Sequence, residues 1–373
     1  MPKLFLLPGS TGRRAALWGL LFFACAQAAL SMYLNERRPE LREPAFGLRL
    51  LTLQKRLREN PRAPLVLVLG SSRTLNGFSP AHMPIALDST GPAPLIVNFA
   101  FAGAGSVREL MTFRRLRAAG ICPDWLLIET WPVQWPEDGY FAERELIVED
   151  ELRWSDLTVL SRYLPGKLDF FANALKGNLV PLLCYRSRML HAGAQFLLSR
   201  ELNRGLAKEE EDWTCNDGTG WLPYRRIPAD RAAQLHEVEK GLLVAAPLLN
   251  PLRISPDYDR ALRELLGECR AAGIKIALFL MPEHSACRGW YTPKTRAVVA
   301  AYLRQLSQDY QVPVIDAREW LPDEYFADFC HMMPQGAGPF SERFCRDALR
   351  PWLQGKQLGD AVLLRQYEAE GER

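Results

Sequence analysis

Two short segments far apart in the chain carry residues that could share one reaction, Gly70-Ser71-Ser72-Arg73 and Asp328-Phe329-Cys330-His331. A serine hydroxyl is a weak nucleophile at neutral pH. It needs a base within hydrogen-bond reach, and the base needs a third group that holds one tautomer. Of the five histidines, His82, His191, His236, His284 and His331, only His331 has a carboxylate three residues earlier in a turn-like setting. Asp328 would accept from one ring nitrogen while the other faces Ser72, a set suited to acyl transfer or ester hydrolysis. Asp-x-x-His alone is a common spacing, so the weight rests on Gly-Ser-Ser and on the elements that must bring the two segments together.

Those elements read as alternating strands and helices. Leu65-Val66-Leu67-Val68-Leu69 is an unbroken aliphatic run, the pattern of a strand buried on both faces, and it stops at Gly70. Carboxyl ends of strands in open α/β sheets are where ligands gather, so two hydroxyls there are well placed. Further strands are expected at 94–99, 125–129, 274–281 and 312–316. Val107, Leu110, Phe113 and Leu116 mark an amphipathic helix capped at Gly120, and Phe340, Phe344, Ala348 and Trp352 a last helix. The fold class expected is α/β, a flavodoxin-like doubly wound, mainly parallel five-stranded sheet over 64–134 and 258–355. Residues 135–257 break the rhythm and read as a mainly helical insertion. Lys208-Glu209-Glu210-Glu211-Asp212 within it reads as a solvated loop.

The 373-residue chain carries a net charge of only +3, with scattered basic residues, so no nucleic-acid partner is indicated. Residues 15–35 hold no charge, about the length that spans a bilayer, behind a short flank at 1–14. We read this segment as an uncleaved transmembrane anchor. Ala26-Gln27-Ala28 keeps a cleaved signal peptide as the alternative. Residues 36–63 read as a charged, solvated stem and 356–373 as a tail. Apart from Cys25, the cysteines are Cys122, Cys184, Cys215, Cys269, Cys287, Cys330 and Cys345, and no Cys-x-x-Cys spacing points to a metal. Gly70-Ser71 lacks the Gly-Lys-Ser/Thr ending of a phosphate loop, so neither metal nor nucleotide cofactor is expected.

Other residues carry secondary expectations. Glu283 and His284 follow the fourth strand and are candidates to line the same cleft, His284 as the rival base. Arg73 would steady a negative intermediate or pair with a neighbouring acid. Cys330, as a Cys-His nucleophile, is disfavoured because its place in the turn should point it away from His331. Trp131, Trp135, Trp213, Trp221 and Trp290 could stack on sugar rings or pack in the core.

Taken together the pattern resembles the SGNH, or GDSL-like, hydrolase superfamily. Its members place the nucleophilic serine after the first strand in Gly-Asp-Ser, a glycine after the second, and Asp-x-x-His before the last helix. Gly70-Ser71-Ser72 matches the first block with Ser72 as nucleophile. Val97-Asn98-Phe99-Ala100-Phe101-Ala102-Gly103 is similar to the second, so Gly103 matches the oxyanion glycine. Asp328 and His331 match the last block. The third block departs, reading Glu129-Thr130-Trp131-Pro132-Val133-Gln134 where an asparagine is usual. The resemblance then implies an oxyanion held by the backbone N–H groups of Ser72 and Gly103, helped by Gln134. Losing one such donor costs on the order of 10²–10³ in rate.

These departures resemble the membrane-anchored branch that acts in D-alanylation of teichoic acid and acetylation of alginate. That implies an extracytoplasmic serine esterase or O-acyltransferase working on an acyl or polysaccharide substrate, beside a membrane-bound acyl-transfer partner. The alternative is a catalytically inactive protein of the same fold that binds envelope polysaccharide or a membrane partner. A soluble cytoplasmic hydrolase is the third reading. Geometry separates the first two: an enzyme needs Ser72, His331 and Asp328 in mutual reach.

Overall fold

The computed structural model describes residues 10–85, 92–163, 168–194, 217–360 and 362–364. The charged run at 208–212, Trp213 and Cys215 lie outside the described residues. The chain forms two compact units, Met1–Leu48 with Val148–Thr214, and Arg49–Ile147 with Cys215–Arg373.

The larger unit is built on a five-stranded sheet, β1 Leu65–Leu69, β2 Leu95–Asn98, β3 Trp125–Glu129, β4 Lys275–Leu280 and β5 Val314–Asp316. All four pairings are parallel and the order is β2-β1-β3-β4-β5. Continuous apolar runs form these strands because both faces are covered, and every residue of β1 and β2 is buried. The order reverses direction across β1 and β3, the switch point where open α/β sheets leave a crevice beyond the strand ends. Gly70-Ser71-Ser72 emerges there. Residues 362–364 close the far edge: Leu363 bridges Ile315, and the Asp316 N–H donates to the Val362 carbonyl at 2.9 Å.

Two elements matter for the site, the Ser72–Gly77 helix after β1 and the Pro334–Phe344 helix that follows His331. They are locked together. Phe78, at the end of the first, meets Phe344 edge-on at 5.2 Å and Phe340 at 6.3 Å, and the Ser79 N–H donates to Ser341 Oγ at 2.8 Å. All three rings are fully buried, so sliding one helix against the other would open a cavity in the core.

The 36–63 stretch forms helices Pro39–Arg42 and Pro44–Glu59; its last turns, with Lys55 and Glu59, are exposed as the expected stem would be, but in the larger unit Arg49 is buried, donating to the carbonyls of Ala100 and Gly220. Its positive charge ties the end of β2 to residues 218–220. These in turn belong to an irregular segment, 217–227, without helix or strand, inside the block read from the sequence as mainly helical.

In the smaller unit the N-terminal helix Ser10–Glu36 is one helix long and apolar enough to cross a membrane. Leu17, Trp18, Leu20, Leu21, Phe22 and Phe23 on it are exposed, whereas Leu34 is buried against Leu41 and Tyr185. Helices Trp154–Tyr163, Leu168–Leu179 and Pro181–Ala194 complete this unit among the described residues. Fully buried Arg42 joins them to the first helix, donating to Ser31 Oγ, Asn35 Oδ1, the Glu151 and Leu152 carbonyls and Asn178 Oδ1. A buried guanidinium surrounded by acceptors fixes geometry, because each lost partner would leave a charged donor unsatisfied.

Candidate active site

Ser72 is the first residue of its short helix. Ser71 before it is the N-cap, its hydroxyl oxygen accepting from the Arg73 N–H at 3.2 Å. This turn places the half-buried Ser72 hydroxyl 2.8 Å from His331 Nε2. On the far side of the ring, Nδ1 lies 2.7 Å from Asp328 Oδ2. With Nδ1–H donating to the carboxylate, Nε2 keeps the lone pair that accepts the serine proton. The chain thus brings together three side chains separated by up to 259 positions.

The Asp-x-x-His turn is a small hairpin. Buried Phe326 and Met332 bridge in antiparallel fashion, and the Ala327 N–H donates to the His331 carbonyl at 2.9 Å. Asp328 Oδ1 caps the turn, accepting from the backbone N–H groups of Cys330 at 2.8 Å and His331 at 2.7 Å. Burial alone would raise the Asp328 carboxyl, yet the His331 imidazole and these two N–H groups hold it down to about 2. It is therefore ionised wherever the imidazole must be oriented.

Tyr224 was not picked out from the sequence. Its ring stacks on His331 with centroids 4.9 Å apart and planes 11° off parallel, and its hydroxyl donates to Asp328 Oδ2 at 3.3 Å. Burial beside Asp328 pushes its phenol well up, so it stays a donor. The segment carrying it is pinned to the Ser72 helix. The Leu222 N–H donates to the Leu75 carbonyl, Asn76 Nδ2 to the Leu222 carbonyl and Trp221 Nε1 to the Asn76 carbonyl, at 3.1, 2.7 and 2.7 Å. No periodicity marks such a segment. The one signal was its aromatic pair, Trp221 and Tyr224, in otherwise polar surroundings.

Beneath the Ser71-Ser72 turn lies a second constellation, in which Arg73 takes the second of its two expected roles, pairing with an acid, and Glu129, unassigned from the sequence, is one of its partners. Glu129, the last residue of β3, accepts through Oε2 from the Ser71 N–H at 2.8 Å, the Ser71 hydroxyl at 2.9 Å and the Thr74 hydroxyl at 2.6 Å. Its Oε1 faces Arg73 Nη1 at 3.5 Å, and Arg73 Nη2 faces Glu283 at 3.6 Å. Arg73 also donates to the carbonyls of Met281 and Pro282 and lies under the Trp131 ring at 4.7 Å. Burial disfavours its charge, but Glu129 and Glu283 outweigh that and raise its pKa further. Gly70 is required here: a Cβ would come within 2.8 Å of both Glu129 and Thr74. An aspartate at position 71 would set a second carboxylate against Glu129, so a serine is the residue that fits.

The other expected site residues fall in different places. Arg73 and Glu283 are buried and paired with each other, Glu283 also accepting from Tyr291 at 3.0 Å, so neither faces a cleft as a substrate ligand would. His284 is buried as a helix cap, Nδ1 accepting from the Ala286 N–H at 3.1 Å and Nε2 lying 3.7 Å from Asp323; its ring is committed away from Ser72. Burial lowers its pKa. Cys330 does not point away from His331: its Sγ lies 3.5 Å from Nδ1. That nitrogen already faces Asp328, and burial beside Asp328 pushes the thiol well up, so it stays protonated. Asp328, Cys330 and His331 could also converge on one ion, but the His331–Asp328 hydrogen bond already uses the imidazole nitrogen and the carboxylate oxygen that face each other.

Gly103 sits in the loop after β2 with φ +64, the left-handed region, and a Cβ there would meet Leu146. The Phe101 N–H donates to the Gly70 carbonyl at 2.9 Å, which holds this loop beside the nucleophile turn. Gln134 donates to the Ala104 carbonyl at 3.0 Å and so braces the same loop. Trp135 is core, fully buried with Nε1 donating to Thr130, whereas Trp131 and Trp290 flank Phe329 at 6.2 and 5.4 Å.

No protein-family model matches the chain, and no curated protein is significantly similar to it.

Proposed function

We propose that this chain is a membrane-anchored serine esterase or O-acyltransferase of the SGNH type, acting on an ester or acylated carbohydrate of the cell envelope with its folded part outside the cytoplasm. The observation that carries the reading is the continuous relay Ser72 Oγ, His331 Nε2, His331 Nδ1, Asp328 Oδ2, with links of 2.8 and 2.7 Å. In this reading Ser72 Oγ bonds to the acyl carbon as its proton passes to Nε2. The tetrahedral intermediate collapses by breaking the bond to the leaving oxygen, which takes the proton from Nε2. Water or a sugar hydroxyl then repeats the sequence against the acyl-serine, giving hydrolysis or transfer. The backbone N–H groups of Ser72 and Gly103 hold the oxyanion, with Gln134 bracing the Gly103 loop rather than donating itself. The apolar Ser10–Glu36 helix supplies the anchor.

The test uses the full chain in detergent micelles with p-nitrophenyl acetate and a fluorophosphonate probe. Ser72→Ala should lose on the order of 10³-fold in rate and all probe labelling. Ser71→Ala should keep the labelling. Unchanged hydrolysis or labelling in Ser72→Ala would refute the triad, and an unlabelled native chain would refute an activated serine.

A further inference from the structure

The smaller unit presents an apolar corner next to the N-terminal helix. Helices Leu168–Leu179 and Pro181–Ala194 meet there, and Leu179, Leu182 and Leu183 are 56%, 52% and 58% exposed. Three leucines side by side in water are a cost of about 0.8 kcal/mol for each CH₂ that stays wet. The place of the corner along the first helix is fixed. Its Leu182 N–H donates to Gln27 Oε1 at 3.2 Å, and Gln27 is itself buried. Above this point Leu30 and Leu34 pack with Cys184, Tyr185 and Met189, so the two helices rise together from the level of residue 27.

That level can be placed against a bilayer. Arg13 and Arg14 are the last charges before the apolar run, and none follows until Glu36. With Arg14 at one boundary of the hydrocarbon, Gln27 lies 13 residues further on, about 20 Å at 1.5 Å per residue. The hydrocarbon is about 30 Å thick. The corner bonded to Gln27 is then about 10 Å below the opposite boundary, inside the hydrocarbon and not above it. The charges agree with this. Lys176 lies one turn before Leu179 and Arg186 one turn after Leu182, both exposed and both about 5 Å further from the corner tip along their helices, which leaves their backbones about 5 Å below the boundary, a depth that long Lys and Arg side chains span by reaching up to the headgroups. Lys176 donates one hydrogen bond to Asn173, at 3.0 Å. Leucines flanked by cations one turn away are the ordering of an interfacial element, apolar groups in the acyl region and positive groups at anionic headgroups.

We propose that the 179–183 corner is a second membrane contact, with Leu179, Leu182 and Leu183 in the hydrocarbon beside the anchor and Lys176 and Arg186 on anionic headgroups. The proposal rests on the reading of Ser10–Glu36 as a bilayer span. Its consequence is an anchor that cannot swivel freely, because the corner fixes the azimuth of the smaller unit about the helix axis.

The experiment places a photoreactive diazirine side chain at position 183, at position 22 in the apolar run, or at position 158 on the exposed side of Trp154–Tyr163. The full chain is reconstituted in phosphatidylethanolamine–phosphatidylglycerol vesicles and irradiated, and phospholipid adducts are read by mass. Position 183 should give adducts at a yield similar to position 22 and about tenfold above position 158. Lipid adducts at 22 but only water at 183 would overturn the corner contact while sparing the anchor. A crosslink of 183 to a second copy of the chain would overturn it in favour of self-association. Absence of lipid adducts at 22 would remove the anchor and the proposal with it.

Discussion

Replacing Glu129 should separate the electrostatic role of the acid beneath the Ser71-Ser72 turn from its role as a hydrogen-bond acceptor. At 3.5 Å from Arg73, its gross attraction is about 5 kcal/mol at an effective dielectric near 20. Glu129→Ala forfeits that and strands three donors, the Ser71 N–H, the Ser71 hydroxyl and the Thr74 hydroxyl, at ~1–3 kcal/mol for each left unsatisfied. Two effects push back: Glu283 still neutralises Arg73 from 3.6 Å, and the repulsion between the two carboxylates disappears. The net expected loss is ~3–5 kcal/mol for Ala, the usual result of removing one side of a buried pair. Glu129→Gln keeps an acceptor for the turn, and its loss should be about 1–3 kcal/mol. Thermal unfolding of both variants measures this, at about 2–4 °C per kcal/mol for domains of 150–250 residues. In parallel, p-nitrophenyl acetate turnover should fall by about 10²-fold in Ala if the turn moves Ser72 by roughly 1 Å. An Ala variant within about 0.5 kcal/mol of the native chain, or a Gln variant that loses more than Ala, would refute the reasoning.

In the proposed mechanism Asp328→Asn should lower kcat by on the order of 10⁴, the loss that a Ser-His-Asp triad suffers when its orienting carboxylate becomes an amide and the imidazole is held in the wrong tautomer. Because Asp328 is held at about 2 against an ordinary 3.8, it contributes about 2 kcal/mol of stability. That contribution is complete above its ordinary value and is lost as pH falls through about 2; urea midpoints of native and Asp328→Asn protein should converge towards the acid end. Tyr224→Phe keeps the stacked ring and gives up only a 3.3 Å hydrogen bond, whereas Tyr224→Ala removes a stack worth ~0.5–1.5 kcal/mol. Steady-state rates should therefore stay within about twofold for Phe and fall by about 2–10-fold for Ala; equal losses in both would assign the effect to the hydroxyl.

The sheet was legible because parallel strands buried on both faces are written as unbroken aliphatic runs. Leu65–Leu69 and Trp125–Glu129 fall on the expected residues, and β4 and β5 lose only their ends. The sequence order of the strands also sufficed to bring Gly-Ser-Ser and Asp-x-x-His to neighbouring positions. Tyr224 was hidden for the opposite reason. Its segment has no periodicity, and what places it is backbone bonding to Leu75 and Asn76, which no local pattern records. Pairing with an acid was one of two roles open to Arg73, but Glu129 was not legible as its partner. An acid closing an apolar strand and an arginine after Gly-Ser-Ser are each ambiguous alone; burial decides, since charges taken out of water must find partners. Glu283 and His284 show the converse, since a position just after a strand does not decide whether a side chain faces the crevice or the core.

The separation of 259 positions between Ser72 and His331 has a consequence for the life of the chain before it is complete. Ser72 is synthesised 259 residues ahead of His331, so the hydroxyl is complete long before the imidazole that comes to lie against it. Until then the hydroxyl is an ordinary alcohol. In the proposed mechanism, a product truncated anywhere before residue 331 lacks the base and leaves Ser72 unactivated. Closure of this long loop is, in that mechanism, what activates Ser72, and the hydroxyl stays unactivated until the Asp328–His331 turn docks against it.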